Sequence, residues 1–265
     1  MSDPPGVATF RTPADAYDRH IGRYGRPLAH ALINATNLRA GHRALDVGCG
    51  PGALATELCA LLGPDHVSAI DPSAPFAEAC TRRLPGVDVR VATAEALPFD
   101  DASFDDVLAQ LVVNFMTDPP AGVREMKRVT RPGGTVAAAV WDYAGEMTLL
   151  RQFWDAAVAL DPGAAARHEG LMPFCTPDAL EHLWSAAGLA DVRLTAAVVD
   201  AAYDGFEDLW QPLELGVAPS GAYAASLPAD ARLALKAELR RRLRAADDPF
   251  RLTARAWIAT GRVRP

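Results

Sequence analysis

The sequence predicts a doubly wound α/β fold, in which a mostly parallel β-sheet is covered by helices on both faces. Between residues 43 and 142, five short apolar segments alternate with segments of helical pattern. The fifth segment, Thr135–Trp141, is apolar at almost every position, as expected of a strand buried on both faces of a parallel sheet. Alternation of strands and helices over this length is typical of a doubly wound sheet.

The first half of the chain provides five strands and the helices between them. We expect residues 1–12 to form a flexible tail and a helix to begin at Thr12, break near Gly25 and resume over Leu28–Ala35. The predicted strands are Arg43–Val47, Val67–Ile70, Val87–Val91, Phe104–Leu111 and Thr135–Trp141. The predicted helices between them are Leu54–Leu62, Ala74–Leu84 and Ala121–Val129, and Asp118-Pro119-Pro120 is interpreted as the cap that opens the last one. Residues 13–142 are therefore predicted to form the core of the fold.

Two helical insertions, at residues 143–175 and 203–250, interrupt the strand pattern of the second half. Residues 176–202 and 251–265 are predicted to add a helix (Thr176–Ala187) and two strands, Val192–Val199 and Arg251–Val263. Because no crossover helix of the usual kind precedes the last strand, we expect it to be antiparallel. The apolar side chains of the insertions either line an acceptor pocket or form the core of a lid; they are Phe153, Trp154, Phe174, Phe206, Trp210 and Leu213.

Composition narrows the classes of partner. The 265 residues are 50% hydrophobic, and 33 acidic against 26 basic residues give a formal net charge of −7. An acidic surface repels phosphate backbones and anionic lipid, so neither nucleic acid nor a membrane is expected as a partner. The four cysteines show neither a CxxC pair nor a zinc-ligand spacing, and the N-terminus lacks the pattern of a signal peptide. These features predict a cytoplasmic protein without a metal site, and the basic run Lys236–Arg244 is expected to be the solvated face of an amphipathic helix.

A glycine-rich turn follows the first predicted strand. Gly48, Gly50 and Gly52 lie where this strand ends and a helix begins, and Asp71 ends the next strand. Glycines allow the backbone to approach a ligand closely, and the helix N-terminus offers free N–H groups. An acidic residue at the position of Asp71 can bind both hydroxyls of a ribose. The combination predicts a cofactor that contains adenosine.

The spacing alone leaves two adenosine cofactors open. Gly48-x-Gly50-x-x-Ala53 satisfies the dinucleotide fingerprint, which would indicate NAD. Asp46, however, lies where a carboxylate would repel a pyrophosphate but suit a cationic amino acid group. Pro51 also removes one N–H group from the turn.

Four ordered motifs resemble those of the class I S-adenosylmethionine-dependent methyltransferases. They are DVGCGPG after the first strand, AIDPS at the second, AEALPF after the third and RPGG before the fifth. The match is nearest to the small-molecule branch related to the type 11 and quinone-biosynthesis methyltransferases, and the N-terminal AYDRHIGRYGRPLA segment also resembles that branch. The resemblance covers roughly residues 14–142. It implies a Rossmann-like seven-stranded sheet with an antiparallel last strand, helical lid insertions, and S-adenosylmethionine as the cofactor.

The resemblance also implies roles for individual residues around the cofactor. Asp46 would orient the methionine amino group through the loop, Gly48, Gly50 and Gly52 would line the methionine half, and Asp71 would bind the ribose. Pro72 would lie against the adenine, Ala94 and Glu95 would frame it, and Gln110 would contact the methionine portion. The chain departs from the family pattern at Ala92-Thr93, where Gly-Asp is common. The Thr93 hydroxyl can still accept one hydrogen bond from the adenine amino group.

Methyl transfer from a sulfonium requires an aligned nucleophile, and positioning alone can supply much of the rate. If the acceptor is a hydroxyl, a base that titrates near neutral pH helps, so His20 and then His168 are the candidate catalytic residues. Tyr17 and Tyr24, which flank His20, are candidate acceptor contacts. Asn114, after the fourth strand, and Trp141, at the end of the fifth, are the others.

The sequence therefore predicts methyl transfer to a small, hydrophobic or natural-product-like acceptor. Two alternatives stay open at this point: an NAD-dependent oxidoreductase, and a member of the same fold that binds the cofactor without methylating, as a cyclase or a binding protein. The sequence does not indicate whether oxygen, carbon or nitrogen is methylated, nor the oligomeric state.

Overall fold

The computed structural model describes residues 14–245 and 247–265, and a seven-stranded sheet runs through this part of the chain. The strand order is β3-β2-β1-β4-β5-β7-β6. The strands are β1 (Ala44–Val47), β2 (Val67–Asp71), β3 (Asp88–Val91), β4 (Phe104–Gln110), β5 (Thr130–Trp141), β6 (Ala190–Tyr203) and β7 (Phe250–Arg262). This arrangement confirms the predicted doubly wound sheet.

The first five strands are parallel, and β7 runs against them. β1 pairs in parallel with β2 and with β4, and β4 pairs in parallel with β5. β7 pairs antiparallel with both β5 and β6, with Val136 opposite Gly261. The prediction of an antiparallel last strand is thus confirmed, and the reversed strand lies between β5 and β6 rather than at the sheet edge.

Helices cover both faces of the sheet and build the insertions. They are α1 (Ala14–Arg19), α2 (Gly25–Asn34), α3 (Ala53–Leu62), α4 (Ala74–Arg83), α5 (Pro119–Val129), α6 (Thr148–Leu160), α7 (Pro177–Ala186), α8 (Phe206–Glu214), α9 (Ala218–Ser226) and α10 (Ala229–Leu243). Short 3-10 turns occur at Ile21–Tyr24, Pro64–His66, Val113–Phe115, Pro162–Arg167 and Glu169–Leu171. No helix within residues 14–245 and 247–265 has the length and apolar character needed to cross a membrane.

Several element boundaries differ from those expected. β5 begins at Thr130 rather than Thr135, because backbone pairing with Phe104 extends the strand through the RPGG segment. β6 extends over Ala190–Tyr203 because it pairs with β7 along nearly its whole length. The N-terminal helix ends at Arg19, so a 3-10 turn and not one continuous helix joins it to α2. The expected tail, and the helix start at Thr12 and Pro13, lie outside the described residues.

The core has one apolar layer on each face of the sheet. One layer joins α2 and α3 to the insertions, and its largest members include Tyr24, Phe153, Trp154 and Trp210. The other packs α5 and α7 on the opposite face, around Met126 and Trp184. Most of the aromatic stripe of the insertions is therefore core: Phe153, Trp154, Phe206, Trp210 and Leu213 are buried in the first layer, whereas Phe174 packs partly buried against the second.

The strand order places the site. In the sheet, β2 lies on one side of β1 and β4 lies on the other. The direction in which successive strands are added therefore reverses beside β1. Open α/β sheets bind ligands in the crevice beyond the carboxyl ends of the strands at such a reversal. The loops after β1, β2 and β4 meet there.

The N-cap of α5 provides a test of the fold. Asp118 Oδ1 accepts a hydrogen bond from the Ala121 N–H at 2.9 Å, as the Asp-Pro-Pro sequence predicts. We expect Asp118→Ala to lower the free energy of unfolding by about 1 kcal/mol, because an N–H of the first turn loses its acceptor. Asp118→Asn retains an acceptor oxygen and should lose less than half as much in denaturant unfolding. Equal losses for the two variants would contradict the capping role.

Candidate functional site

A cleft opens at the carboxyl edge of the sheet, beside the reversal of strand order. Eight of the ten predicted cofactor residues line it: Gly48, Gly50, Asp71, Pro72, Thr93, Ala94, Glu95 and Gln110. Asp46 and Gly52 are not part of the lining. Their contacts place them around the glycine turn, where they support it rather than form the cleft surface.

The glycine turn is bound to the end of β2. The N–H groups of Gly48 and Cys49 both donate to Ile70 O, at 2.8 and 2.9 Å. Gly48 has a φ of +73°, and a Cβ there would lie 2.4 Å from Val112 Cγ2. Gly50, with a φ of +53°, would carry a Cβ into open space. Gly48 is therefore required by close packing against the loop after β4, whereas Gly50 leaves room for a ligand.

Asp71 fixes the same turn through its side chain. Its Oδ2 accepts from the Gly50 N–H and its Oδ1 from the Ser73 N–H, both at 2.8 Å. Burial raises the pKa of this carboxyl to about 6, although the two N–H donors oppose the shift. A carboxylate offers about four acceptor positions, so two remain for a diol. The geometry suits the predicted contact with ribose hydroxyls.

Two buried oxygen acceptors near the turn have no partner among the described residues. Asp46 Oδ2 accepts from the Ala55 N–H at 2.9 Å, but its Oδ1 is unpaired and the side chain is buried. Gln110 Nε2 donates to Gly25 O at 3.1 Å, which leaves Gln110 Oε1 unpaired at the cleft. Burial raises the pKa of Asp46 to about 8. Unpaired buried acceptors are costly unless a ligand donates to them, and a cationic amino group is a suitable donor.

Glu95 connects the segment after β3 to the loop after β4 in the wall of the cleft. Its Oε1 accepts from the N–H groups of Thr117 and Asp118, at 2.8 and 3.2 Å. The carboxylate therefore binds the loop after β4, although the residue does line the cleft as predicted. Sequence reasoning did not single out seven other lining residues, which mostly follow the ends of β2 and β4: Ile70, Ser73, Phe76, Leu111, Val112, Met116 and Thr117.

A second, smaller cavity adjoins the cleft, and we call it the chamber. Its lining comprises Tyr17, Ile21, Leu111, Phe115, Trp141, Tyr143, Leu150, Glu169, Ala218 and Pro219. Tyr17, Leu111 and Phe115 line both the cleft and the chamber, so the two cavities share a wall. Leu111 has a φ of +63°, a conformation that disfavours residues other than glycine and that clusters at functional sites.

The predicted acceptor residues separate into two groups. Tyr17 and Trp141 line the chamber, as expected for acceptor contacts. Tyr24 instead lies in the core: its hydroxyl is 3.1 Å from the Tyr203 hydroxyl, and its ring packs edge-on against Trp141. Asn114 lines neither cavity. Its Nδ2 contacts Met172 Sδ at 3.2 Å, and its side chain lies against Tyr143 of the chamber wall.

Neither predicted histidine lines the cleft or the chamber. His20 is buried, and burial together with the nearby Arg23 guanidinium lowers its pKa to about 3. An imidazole with so low a pKa accepts a proton only weakly near neutral pH. His168 Nδ1 accepts from the Gly170 N–H at 2.7 Å and so caps a 3-10 turn. The geometry does not support either as the general base, but the residue after His168, Glu169, lies in the chamber wall.

The basic helix is a charged outer face. In α10, Leu235 and Leu239 are buried, whereas Lys236 pairs with Glu207 and Arg240 with Asp247. These ion pairs leave less of the positive charge available to a phosphate backbone, in keeping with the predicted solvated face.

Comparison with known proteins agrees with the geometry of the cleft. Residues 45–138 match a family described as a methyltransferase domain. The chain is 30% identical to nocamycin O-methyltransferase of Saccharothrix syringae over 95% of its own length and 96% of that protein. It is 33% identical to demethylmenaquinone methyltransferase of Clavibacter sepedonicus, over 86% and 97% of the two chains. The chain therefore belongs to the class I S-adenosylmethionine-dependent methyltransferase family.

Other similarities are narrower or concern the fold alone. This chain spans only 35%, 47% and 49% of the length of three further curated relatives that it matches. The solved structure of a putative type II methyltransferase from Anaeromyxobacter dehalogenans superposes with a TM-score of 0.63 at 24% identity, covering 92% of this chain and 98% of that one. The methyltransferase relatives favour methyl transfer over the NAD-dependent alternative.

The two glycines of the turn allow a matched test. We expect Gly48→Ala to lower the free energy of unfolding by about 1–3 kcal/mol more than Gly50→Ala, because only the first variant forces a methyl group into Val112. Both variants carry the cost of a positive φ, so denaturant unfolding of the pair isolates the packing effect. Adding Val112→Ala should recover part of the loss in Gly48→Ala. Equal stabilities of the two glycine variants would contradict the packing role of Gly48.

Asp46 allows a test of how far a buried carboxyl at the site lowers the stability of the fold. Its carboxyl has a pKa of about 8 in the folded chain, against about 3.9 when unfolded. The folded state thus holds a proton that the unfolded state releases, so this group's contribution to stability falls as pH rises from about 4 to about 8. We expect Asp46→Asn to be more stable than the parent protein in thermal unfolding at pH 8, with a difference that shrinks toward pH 4. Asp65→Asn, at an exposed position, is the control, and a pH-independent difference would contradict the assignment.

Proposed function

We propose that this chain transfers a methyl group from S-adenosylmethionine to a small acceptor that binds in the chamber. The observation that supports the proposal is the pair of cavities with a common wall: an adenosine-type cleft at the carboxyl edge of the sheet and an apolar chamber beyond Tyr17, Leu111 and Phe115. When bound, the cofactor supplies an electrophilic methyl group on a sulfonium. The residues of this chain then have to hold the cofactor, align the acceptor and exclude water.

The cleft residues fit this cofactor at three places. The two free acceptor positions of Asp71 suit the ribose diol, and the open space at Gly50 accommodates a ligand against the turn. The unpaired Gln110 Oε1 at the cleft suits the cationic amino group, and Asp46, which lies behind the turn, would orient that group through the turn. A pyrophosphate carries acceptors only, so it would leave the buried Gln110 Oε1 unpaired, which disfavours NAD.

The chamber supports a small and largely apolar acceptor. Ile21, Leu111, Phe115, Leu150 and Trp141 supply most of its wall, and such a wall suits an apolar group. Two relatives of nearly full coverage are named for nocamycin and demethylmenaquinone, and by analogy we propose a hydrophobic or natural-product-like acceptor. We also propose a cytoplasmic location, which the four free thiols support.

The assignment of Asp71 is tested by binding. We expect Asp71→Ala to weaken binding of S-adenosylhomocysteine by about 1.5–3 kcal/mol in isothermal titration calorimetry, because charged hydrogen bonds to both ribose hydroxyls are removed. Asp71→Asn retains one acceptor oxygen and should lose less, and Asp65→Ala should bind as the parent protein does. Unchanged affinity in Asp71→Ala would contradict the proposed cofactor contact.

A further inference from the structure

We propose that Glu169 is the proton acceptor of the chamber, and that the acceptor substrate carries an acidic hydroxyl group, a phenol or an enol, on a small apolar frame. This inference rests on the proposed methyl transfer. It identifies the group that accepts the proton which such a hydroxyl must lose when its oxygen is methylated.

Glu169 is a buried carboxylate in an otherwise mostly apolar wall. It begins the 3-10 turn Glu169–Leu171 and is 3% exposed, yet it lines the chamber. Its Oε2 accepts a hydrogen bond from the Trp154 indole N–H at 2.8 Å. That bond fixes the side chain from the direction of α6 and uses one of the carboxylate's roughly four acceptor positions. Carboxylates are rarely this buried without a pairing charge, so a role in the cavity accounts for its place.

The surroundings prepare this carboxyl for proton transfer near neutral pH. Burial raises the pKa of Glu169 to about 7, and the Trp154 N–H opposes the shift. Tyr143 and Cys175 face it, and burial together with the Glu169 charge raises the pKa of both groups. Asp142 also acts on Cys175, and Tyr17, which acts on Tyr143, lines the chamber as well. A base with a pKa close to the working pH is the most effective general base.

The same chemistry selects a hydroxyl over an amine. A protonated amine beside Glu169 would form an ion pair, which stabilises the ammonium and leaves nitrogen without a free electron pair. A neutral phenol or enol can instead donate a hydrogen bond to the carboxylate and give up its proton as the oxygen reacts. A permanently anionic acceptor would be repelled by the carboxylate.

The step balances without another reactant. The hydroxyl proton moves to a Glu169 oxygen while an oxygen lone pair forms the new O–C bond to the methyl group. The C–S bond breaks and its electron pair stays on sulfur, so the products are a methyl ether, a thioether and the carboxylic acid of Glu169. The acid then releases its proton to solvent before the next turnover.

The test uses 4-nitrophenol, whose phenolate is yellow, as a probe of the chamber in the full chain. In complex with the wild-type protein and S-adenosylhomocysteine, the bound phenol faces the Glu169 carboxylate, and like charges disfavour its ionisation. We expect its absorbance titration to lie at least about one pH unit above that in Glu169→Gln, equivalent to a tenfold change in the ionisation constant. Glu181→Gln, at an exposed position, should titrate as wild type.

Methylation rates add a second readout. With 4-methylphenol, which is protonated at pH 8, Glu169→Gln should lose about 10²-fold or more in kcat. 4-Nitrophenol is ionised at that pH in solution and needs no base in Glu169→Gln, so its loss should be less than tenfold. If Glu169→Gln does not fold, Trp154→Phe removes only the N–H donor, so it should raise the pKa of Glu169 and move the acid limb of the pH–rate profile to higher pH.

The possible results separate the two proposals. Coincident titrations of bound 4-nitrophenol in wild type and Glu169→Gln, or equal losses on both phenols, overturn the role of Glu169. If S-adenosylhomocysteine binds but neither phenol does, the substrate class is overturned while the proposed function stands. If S-adenosylhomocysteine itself does not bind, the proposed function fails first.

Discussion

The attachment of the glycine turn to the end of β2 is the constraint on which the site depends. Three hydrogen bonds carry it: Gly48 and Cys49 donate to Ile70 O, and Gly50 donates to the Asp71 carboxylate. The Ser73 N–H holds the other oxygen of that carboxylate. These bonds determine where the turn lies above the sheet, and the short distance from Gly48 to Val112 then determines where the loop after β4 can pass. That loop in turn supplies Leu111 and Phe115, which line both the cleft and the chamber.

The site combines groups that cost stability when no ligand is present. Asp46, Asp71 and Glu169 are all buried carboxyls, and burial raises the pKa of each one. Asp46 Oδ1 and Gln110 Oε1 have no partners among the described residues. A protein keeps such groups where a ligand or a reaction uses them, and the surrounding sheet and aromatic core stabilise the fold against the cost. In the proposed reaction, Asp71 would bind the ribose, Asp46 would orient the amino group through the turn, and Glu169 would accept the proton of the acceptor.

Much of the fold and the cofactor cleft could be predicted from the sequence because their signals are local. Apolar strand segments, caps such as Asp118 and the glycine turn depend on neighbouring residues, and eight of the ten predicted cofactor residues line the cleft. Asp46 differs because its side chain binds the N–H of Ala55 in α3 and supports the turn from behind. No sequence pattern distinguishes that position from the cleft surface.

The chamber depends on tertiary packing and was predicted less well. The intrinsic pKa of imidazole makes His20 and His168 the natural candidates for a base. Burial lowers the pKa of His20, however, and the Gly170 N–H donates a hydrogen bond to Nδ1 of His168. Glu169 stands in the polar segment Arg167–Gly170, where its sequence suggests solvent exposure. Only the packing of α6 against this turn buries it and brings the Trp154 N–H to its carboxylate.

The central claim, that the cleft holds S-adenosylmethionine, is tested most directly by parallel calorimetric titrations of the unmodified protein with S-adenosylmethionine, S-adenosylhomocysteine and NAD. The structure predicts micromolar binding of the first two ligands and none of NAD. Asp71 suits the ribose of all three, but Gln110 Oε1 at the cleft and Asp46 behind the turn favour an amino group, which donates, over a pyrophosphate, which carries acceptors only. Binding of NAD alone would contradict the account, and the interpretation of Asp46 would be the step that failed.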